Sequence, residues 1–218
     1  MLLPHDLHYL TASEVLKLLE NDTITVETYA QSLLNHIKDR DDIVKAWAYL
    51  GKTTTTEFTV TMHNSGPDTT NPHDPGRTPG GSSCGSAAAV ADFQVPISLG
   101  AQTGGSIIRP ASFTGTFAMK PTHNSISTEG QKEFSPTFDT FGFFARSLED
   151  LQLLAGVFAL QDDKSPKDIP LQNASVALIN SPFWPRAGPG TVAAMSKAAT
   201  ILKNSGVKVD VGRFSKGP

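Results

Sequence analysis

Two serines flanked by glycines are the residues of this sequence best placed for covalent chemistry. Ser82 lies within the run Gly80–Ser83, and Ser106 ends the run Thr103–Ser106. A serine hydroxyl is a weak nucleophile near neutral pH unless a base takes its proton, and neighbouring glycines let backbone N–H groups point at a developing oxyanion. The pattern indicates a nucleophile with an oxyanion hole, although plain turns or a phosphate cradle before a helix use similar residues. Neither run has the G-x-x-x-x-G-K-S/T spacing of a P-loop.

The residues between the two serine runs predict how the runs come together. Small residues at Ala87–Ala91 favour a tightly packed helix that begins at the first run. Val95–Gly100 is typical of a short buried strand, which leads into the second run. Because a strand that returns beside a helix can bring the two turns together, we expect Ser82 and Ser106 to be neighbours.

Helices and strands along the rest of the chain predict the fold class. Thr11 and Glu14 have the spacing of a capping box, for an amphipathic helix that runs to about Glu20. Caps and apolar spacing predict further elements: a helix from Thr25 to the polar run at 38–42, a helix capped by Ser147 and Asp150, a strand at 176–179, a helix at 191–204 and a strand at 207–211. The threonine-, glycine- and proline-rich stretch 51–81 is expected to be a loop. Together these elements predict an α/β fold with a mixed β-sheet flanked by helices.

The segments around both serines resemble one known family. Gly80–Val90, Gly100–Ala111 and Lys120–Thr122, in this order and spacing, closely resemble the amidase signature family. Residues 139–142 with 145–147 resemble that family's next segment, S-x-D-x-x-G-x-x-A-R-S, and residues 52–58 resemble its G-K-T-x-x-x-E-F strand end. The resemblance runs from Thr11 to about Val211, and it implies an amidase-signature-like fold.

The resemblance implies a role for each serine. That family hydrolyses carboxylic amides with a Ser–Ser–Lys triad, in which Ser106 would be the nucleophile and Ser82 would relay the proton between Ser106 and a lysine. A cis peptide bond would precede Ser82. The oxyanion hole would consist of backbone N–H groups, those of Thr103, Gly104, Gly105 and Ser106. Two residues depart from the family pattern, because Gln102 stands where aspartate is commoner and Arg109 lies one place later than usual.

The triad lysine is missing from this sequence. The family carries it in a strand of the form G-I/V-P-x-x-x-K-D, which would lie between residues 46–50 and Gly51, yet Leu50 runs directly into Gly51. The Lys-Asp pairs at 38–39 and 167–168 lack the apolar strand that should precede them, and the lysines at 52 and 120 match structural lysines of the family. No lysine is therefore assigned as the base.

The missing segment also shapes the predicted organisation. Residues 1–218 are interpreted as a single, partial amidase-like domain, with N-terminal helices at 1–50, a serine-motif core at 51–160 and a trailing α/β segment at 161–218. An absent strand exposes the edges of its neighbours, so we expect an oligomer or a partner chain that covers exposed sheet edges. Substrate-binding residues are not assigned. Four phenylalanines could line an acyl pocket or belong to the core, those at 138, 141, 143 and 144.

Composition excludes several classes of protein. The 218 residues include 18 Lys+Arg and 21 Asp+Glu, for a net charge of −3, so a basic nucleic-acid binder is not expected. No stretch approaches the ~18 consecutive apolar residues of a membrane helix, and the first residues lack the pattern of a signal peptide. A single cysteine fits a reducing compartment. We therefore expect a cytoplasmic protein without nucleic-acid or membrane partners.

Metal and cofactor sites are not predicted. His63 and His73 flank a loop that contains Asp68 and Asp74, but their spacing matches no zinc pattern, so solvated side chains are the favoured interpretation. Cys84 lies at the expected start of a helix, where a thiol can become reactive. Because no histidine is spaced as its partner, packing is the favoured interpretation for this cysteine.

Two hypotheses about function follow. The first is an amide hydrolase acting on a small-molecule substrate, catalytically impaired because the triad lysine is absent. The second is a non-catalytic remnant, a pseudoenzyme or binding subunit that keeps the serine loops without the chemistry. A mis-spliced fragment of a full-length amidase would have the same sequence features.

Overall fold

The structure is a computed structural model that describes residues 4–49, 51–56, 68–160 and 169–213. The chain divides into two compact units, Met1–Gln161 and Asp162–Pro218. The first contains, in chain order, a 3-10 turn (Pro4–Tyr9), α1 (Ala12–Glu20), α2 (Val26–Val44), β1 (Trp47–Tyr49), β2 (Lys52–Thr53), α3 (Cys84–Ala91), β3 (Ile97–Gln102), α4 (Ile108–Thr114), β4 (Phe117–Met119), β5 (Thr140–Ala145) and α5 (Leu148–Val157). The second contains 3-10 turns (Leu171–Asn173 and Trp184–Arg186), β6 (Ser175–Asn180), α6 (Pro189–Asn204) and β7 (Lys208–Arg213).

The N-terminal helix α1 begins where the capping box predicts. The Thr11 hydroxyl accepts from Glu14 N, and the Glu14 carboxylate accepts from Thr11 N. A second carboxylate, that of the fully buried Asp150, accepts from Ala12 N at 3.0 Å and Ser13 N at 2.8 Å. An anion at a helix N-terminus satisfies otherwise unpaired N–H groups and the helix dipole. Asp150 thereby joins α1 to α5.

Helix α2 is longer than the sequence predicts. The polar run at 38–42 does not end the helix, which continues to Val44 and is closed by Lys45 in the left-handed conformation. Asp41 helps to end it, because its Oδ1 accepts from Ala46 N at 2.7 Å. Val44 and Ala46 are fully buried against α3, so burial of apolar residues after the charged run extends the helix.

A three-stranded antiparallel sheet forms the centre of the first unit. Strand β5 lies between β3 and β4, with Gly100 opposite Gly142. Phe143 and Phe144 of β5 are fully buried and belong to two clusters of the core. The core interpretation is therefore the right one for these two phenylalanines.

Strands β1 and β2 form an antiparallel hairpin across the junction where the sequence lacks the lysine segment. Trp47 pairs with Thr53 and Tyr49 pairs with Lys52, and Gly51 has a φ of +82°. Glycine adopts this left-handed conformation readily, so it suits so short a turn. The expected loop from Gly51 onward thus begins with a strand, and Leu50 lies outside the described residues.

The second unit is a β-α-β motif. Strands β6 and β7 are parallel, with Ser175 opposite Lys208, and α6 connects them. Helix α6 begins at Pro189 rather than Thr191, because proline suits the first turn of a helix, where its missing N–H has no partner to lose.

The described residues thus contain helices together with both parallel and antiparallel strand pairs, which confirms the predicted α/β class. Over the described residues, every helix is too short or too polar to span a membrane.

Candidate active site

The two serine runs meet in the structure. Ser83 N donates to Ser106 O at 3.2 Å, and Ser83 Oγ donates to Ala101 O, one residue before the end of β3, at 3.3 Å. Ser82 and Ser106 are 3% and 2% exposed. Helix α3 starts directly after Ser83, and β3 leads into the second run. The arrangement brings together the two serines that the sequence singles out.

The peptide bond between Gly81 and Ser82 is cis. Its surroundings hold the carbonyl groups on both sides: Arg109 Nε donates to Gly81 O at 3.2 Å, and Thr55 Oγ1 donates to Ser82 O at 2.9 Å. Arg109 comes from α4, which follows Ser106 in the chain. Arg109 thus connects the helix after one serine to the turn before the other.

The turn that carries Ser106, residues 103–107, is held from both ends. Gln102 Oε1 accepts from Ile107 N at 2.9 Å and from Ile108 N at 3.0 Å, so this side chain caps the start of α4. Thr103 Oγ1 donates to Asp139 Oδ1 at 2.5 Å. From the sequence alone, Gln102 is only a departure from the pattern around the serines, and Asp139 has no assigned role. The position of Asp139 in the S-x-D-x-x-G segment was the available signal.

Three backbone donors of this turn are unpaired among the described residues. Within the described part of the chain, the N–H groups of Gly104, Gly105 and Ser106 have no hydrogen-bond acceptor. A Cβ added at Gly104 would meet nothing within 4 Å, so the turn is open on that side. Free N–H groups beside a serine can stabilise an oxyanion if they point towards it.

Both serines line one cavity of about 740 Å³. Its walls come from β3, from the hairpin with residues 53–55, and from the loop that precedes β5. The large apolar residues among them are Trp47, Val95, Ile97, Leu99, Phe134 and Phe141. Phe141 therefore lines the cavity, unlike Phe143 and Phe144. A volume of this size fits a small organic molecule.

A lysine base is not placed at the serines within the described residues. Lys52 and Lys132 line the cavity, but both side chains are exposed and neither has a hydrogen bond to a serine. Lys120 Nζ instead donates to Pro121 O at 2.6 Å, Lys38 is exposed on α2, and Lys167 lies outside the described residues. No direct hydrogen bond joins Ser82 Oγ to Ser106 Oγ in this arrangement.

The groups considered for metal binding do not form a cluster among the described residues. His73 shares a hydrogen bond of 2.8 Å with Thr114 O, and Asp74 accepts from Arg77 Nε at 2.8 Å. His63 lies outside the described residues. In the part of the chain that is described, no three His, Cys, Asp or Glu side chains are grouped so that they could hold a metal ion.

Cys84 is a packing residue whose thiol we expect to react slowly. It is 2% exposed, Sγ contacts Thr54 O at 3.6 Å, and burial raises the pKa of the thiol above its ordinary value. A raised pKa leaves less of the reactive thiolate at pH 8. We expect at least about tenfold slower reaction with a thiol reagent in the native protein than in denaturant. The absorbance of the chromophore that the thiol reagent releases measures the reaction rate, and because the chain has one cysteine, it reports on Cys84 alone. Equal rates in the native protein and in denaturant would contradict the packing role.

Comparison with known proteins identifies related sequences. A family model described as Amidase matches residues 45–216. A glutamyl-tRNA(Gln) amidotransferase subunit of Picosynechococcus sp. is 35% identical over 207 residues, covering 85% of this chain and 41% of that protein. The corresponding subunit of the same enzyme from Clostridium acetobutylicum is 39% identical over 158 residues, covering 70% of this chain and 32% of that protein. This chain thus spans at most about two fifths of the length of these two relatives.

Solved structures share the fold. A crystal structure of an amidase superposes with a TM-score of 0.81 at 23% identity, over 93% of this chain and 63% of that one. A glutamyl-tRNA(Gln) amidotransferase subunit from Thermotoga maritima superposes with a TM-score of 0.79 at 23% identity, over 96% of this chain and 62% of that one. At these identities the likeness shows the fold alone.

Proposed function

Because this chain belongs to the amidase family, whose model matches residues 45–216, we propose that its cavity is a serine acyl-transfer site with impaired amide hydrolysis. The observation that carries the proposal is the meeting of Ser82 and Ser106 in one cavity, beside backbone N–H groups that lack an acceptor. A nucleophile, a second hydroxyl and an oxyanion hole are the groups that acyl transfer requires.

The proposed reaction gives each of these groups a role. Ser106 Oγ attacks the carbonyl carbon, and the oxygen, which gains negative charge, is held by the N–H groups of residues 103–106. The carbon–nitrogen bond then breaks, and the proton lost by Ser106 passes through the Ser82 hydroxyl to the leaving nitrogen. Water hydrolyses the acyl group and restores Ser106. Ser82, Thr103 and Ser106 line the cavity, and Gly104 and Gly105 belong to the turn between the last two.

Impairment follows from the lack of a base to drive these proton transfers. The lysine segment is absent from the sequence, and the hairpin of β1 and β2 joins the flanking residues directly. An amine leaves only if it is protonated, whereas an activated phenolate leaves unaided. Loss of general acid–base help should therefore slow amides far more than activated esters.

The test compares an activated ester with its matched amide. We expect the nitrophenyl ester to acylate the protein once, with the added mass on the peptide that contains Ser106, and the anilide of the same acid to react at least about a hundred times more slowly. Peptide mass spectrometry locates the acyl group, and release of the chromophore gives both rates. An adduct on another residue, or none at all, would overturn the proposal.

A second candidate is a binding subunit without catalysis. It is favoured by the closed hairpin, which leaves the triad without its lysine, and by relatives that are named as subunits of an amidotransferase. Strand β3 has a neighbour on one side only within the described residues, so a partner chain could pair with its free edge. No acylation by the ester, together with a stable complex with another chain, would favour this candidate.

A further inference from the structure

One carboxylate connects the turn that carries Ser106 to a wall of the cavity. Asp139 Oδ1 accepts from the Thr103 hydroxyl at 2.5 Å. Its other oxygen, Oδ2, accepts from Phe134 N at 2.7 Å and from Ser135 N at 2.8 Å. Hydrogen bonds to a charged acceptor are about twice as strong as those between neutral groups. One oxygen of Asp139 therefore bonds the turn at Thr103, and the other bonds the loop at residues 134–135.

Both parts belong to the candidate active site. Thr103 begins the turn that carries Ser106, and both residues line the cavity; residues 127–132 with Phe134 form another wall of the same cavity. This wall is a loop outside helices and strands, and most of its side chains are exposed. Such a loop has few buried contacts of its own, so bonds to a fixed group determine where it lies.

The electrostatic surroundings keep Asp139 charged near neutral pH. Burial raises the pKa of this carboxyl, but the hydrogen bonds from the Thr103 hydroxyl and from two loop amides lower it by more. His123, Glu129, Lys132 and Glu133 line a second cavity with Asp139, so charges of both signs face it. The charged form accepts all three bonds at once, as the geometry requires.

We propose that Asp139 is a positioning residue that couples the wall at residues 127–134 to the turn of Ser106. The wall and the turn are then ordered together, so that a change which makes one segment more mobile also makes the other more mobile. The effect on Ser106 reactivity rests on the function proposed above, whereas the coupling of the two segments does not. A substrate that contacts the wall would through Asp139 also favour the ordered turn.

The test breaks the connection at Thr103. Thr103→Val keeps the shape of the side chain and removes the donor, while Thr103→Ser keeps the donor and provides the matched control. Hydrogen exchange, followed on peptides from 102–109 and 121–139, reports the order of each segment. We expect faster exchange in both segments of the valine variant, a rate of labelling by a fluorophosphonate reduced about tenfold, and values for the serine variant within about twofold of wild type.

Two further variants separate the possible outcomes. Asp139→Ala removes the acceptor itself and should loosen both segments at least as much as Thr103→Val. Asp74→Asn removes a carboxylate that likewise caps an exposed turn, through Gly76 N at 3.0 Å, and should change neither segment. Faster hydrogen exchange in the loop alone, with exchange in the turn and the labelling rate unchanged, would overturn the coupling. If the wild type is not labelled at all, the proposed function fails, and hydrogen exchange alone decides the coupling.

Discussion

Replacing Ser106 with alanine is expected to abolish covalent labelling by a fluorophosphonate probe. The serine oxygen must attack phosphorus and displace fluoride, and alanine has no atom that can do so. Ser106 is 2% exposed but lines the cavity, beside N–H groups that can hold the phosphoryl oxygen. We expect the labelling rate to fall at least about a thousandfold, because the loss of a nucleophile is not compensated by the remaining groups. Gel fluorescence and intact mass measure it.

The control for this variant lies on the next helix. Ser112→Ala makes the same chemical change at an exposed position of α4, six residues after Ser106, and should label as the wild type does. Equal labelling of wild type and Ser106→Ala would place the reactive group elsewhere and remove Ser106 as the nucleophile. Loss of labelling in both variants would point to damage to α4 instead.

Replacing Gly85 with alanine is expected to destabilise the first unit severely. A Cβ at this position would overlap Ala46 O and Thr54 Oγ1 and would lie 2.5 Å from Thr54 N. Two of these atoms belong to the backbone, and Thr54 N donates to Ala46 O at 2.8 Å, so neither can move away without losing a hydrogen bond. We expect the free energy of unfolding to fall by about 3 kcal/mol. Urea unfolding followed by circular dichroism measures the change.

A glycine on another helix provides the control, which distinguishes the effect of steric crowding from the effect of helix propensity. Gly156 of α5 is exposed, and a Cβ there would meet nothing within 4 Å. Gly156→Ala should therefore stabilise the protein by about 0.5–1 kcal/mol, since alanine loses less backbone entropy in a helix. A Gly85→Ala variant as stable as the wild type would show that α3 can move away from the hairpin.

Elements with local signals could be predicted from the sequence, whereas those defined by tertiary contacts could not. The capping box of α1 and the serine cap of α5 are signals within four residues, and both helices begin as predicted. Strand β5 was not predicted, because it is buried on both sides and its run of phenylalanines shows no alternation. Strand β3 begins at Ile97 rather than Val95, because Pro96 has no N–H for the sheet and Val95 O accepts from Arg146 Nη1.

The candidate active site likewise combines residues that a local pattern predicts with contacts that no local pattern predicts. The pattern of glycines and serines singled out Ser82 and Ser106, and the structure lines one cavity with both, while their catalytic roles stay predictions. The bond from Thr103 to Asp139 spans 36 positions of the chain and depends on a loop conformation that no local pattern specifies. Nor does the sequence show that Gln102 caps α4, because the capping side chain lies on the preceding strand.

The hairpin of β1 and β2 is also a place where this chain can be lengthened or shortened at low cost. Its two strands are held by their own pairing, and β2 additionally packs near α3. The entropy lost on closing a loop grows only with the logarithm of its length, about 0.6 kcal/mol for each doubling. By this measure, a flexible insertion between the two strands would cost little in the entropy of loop closure.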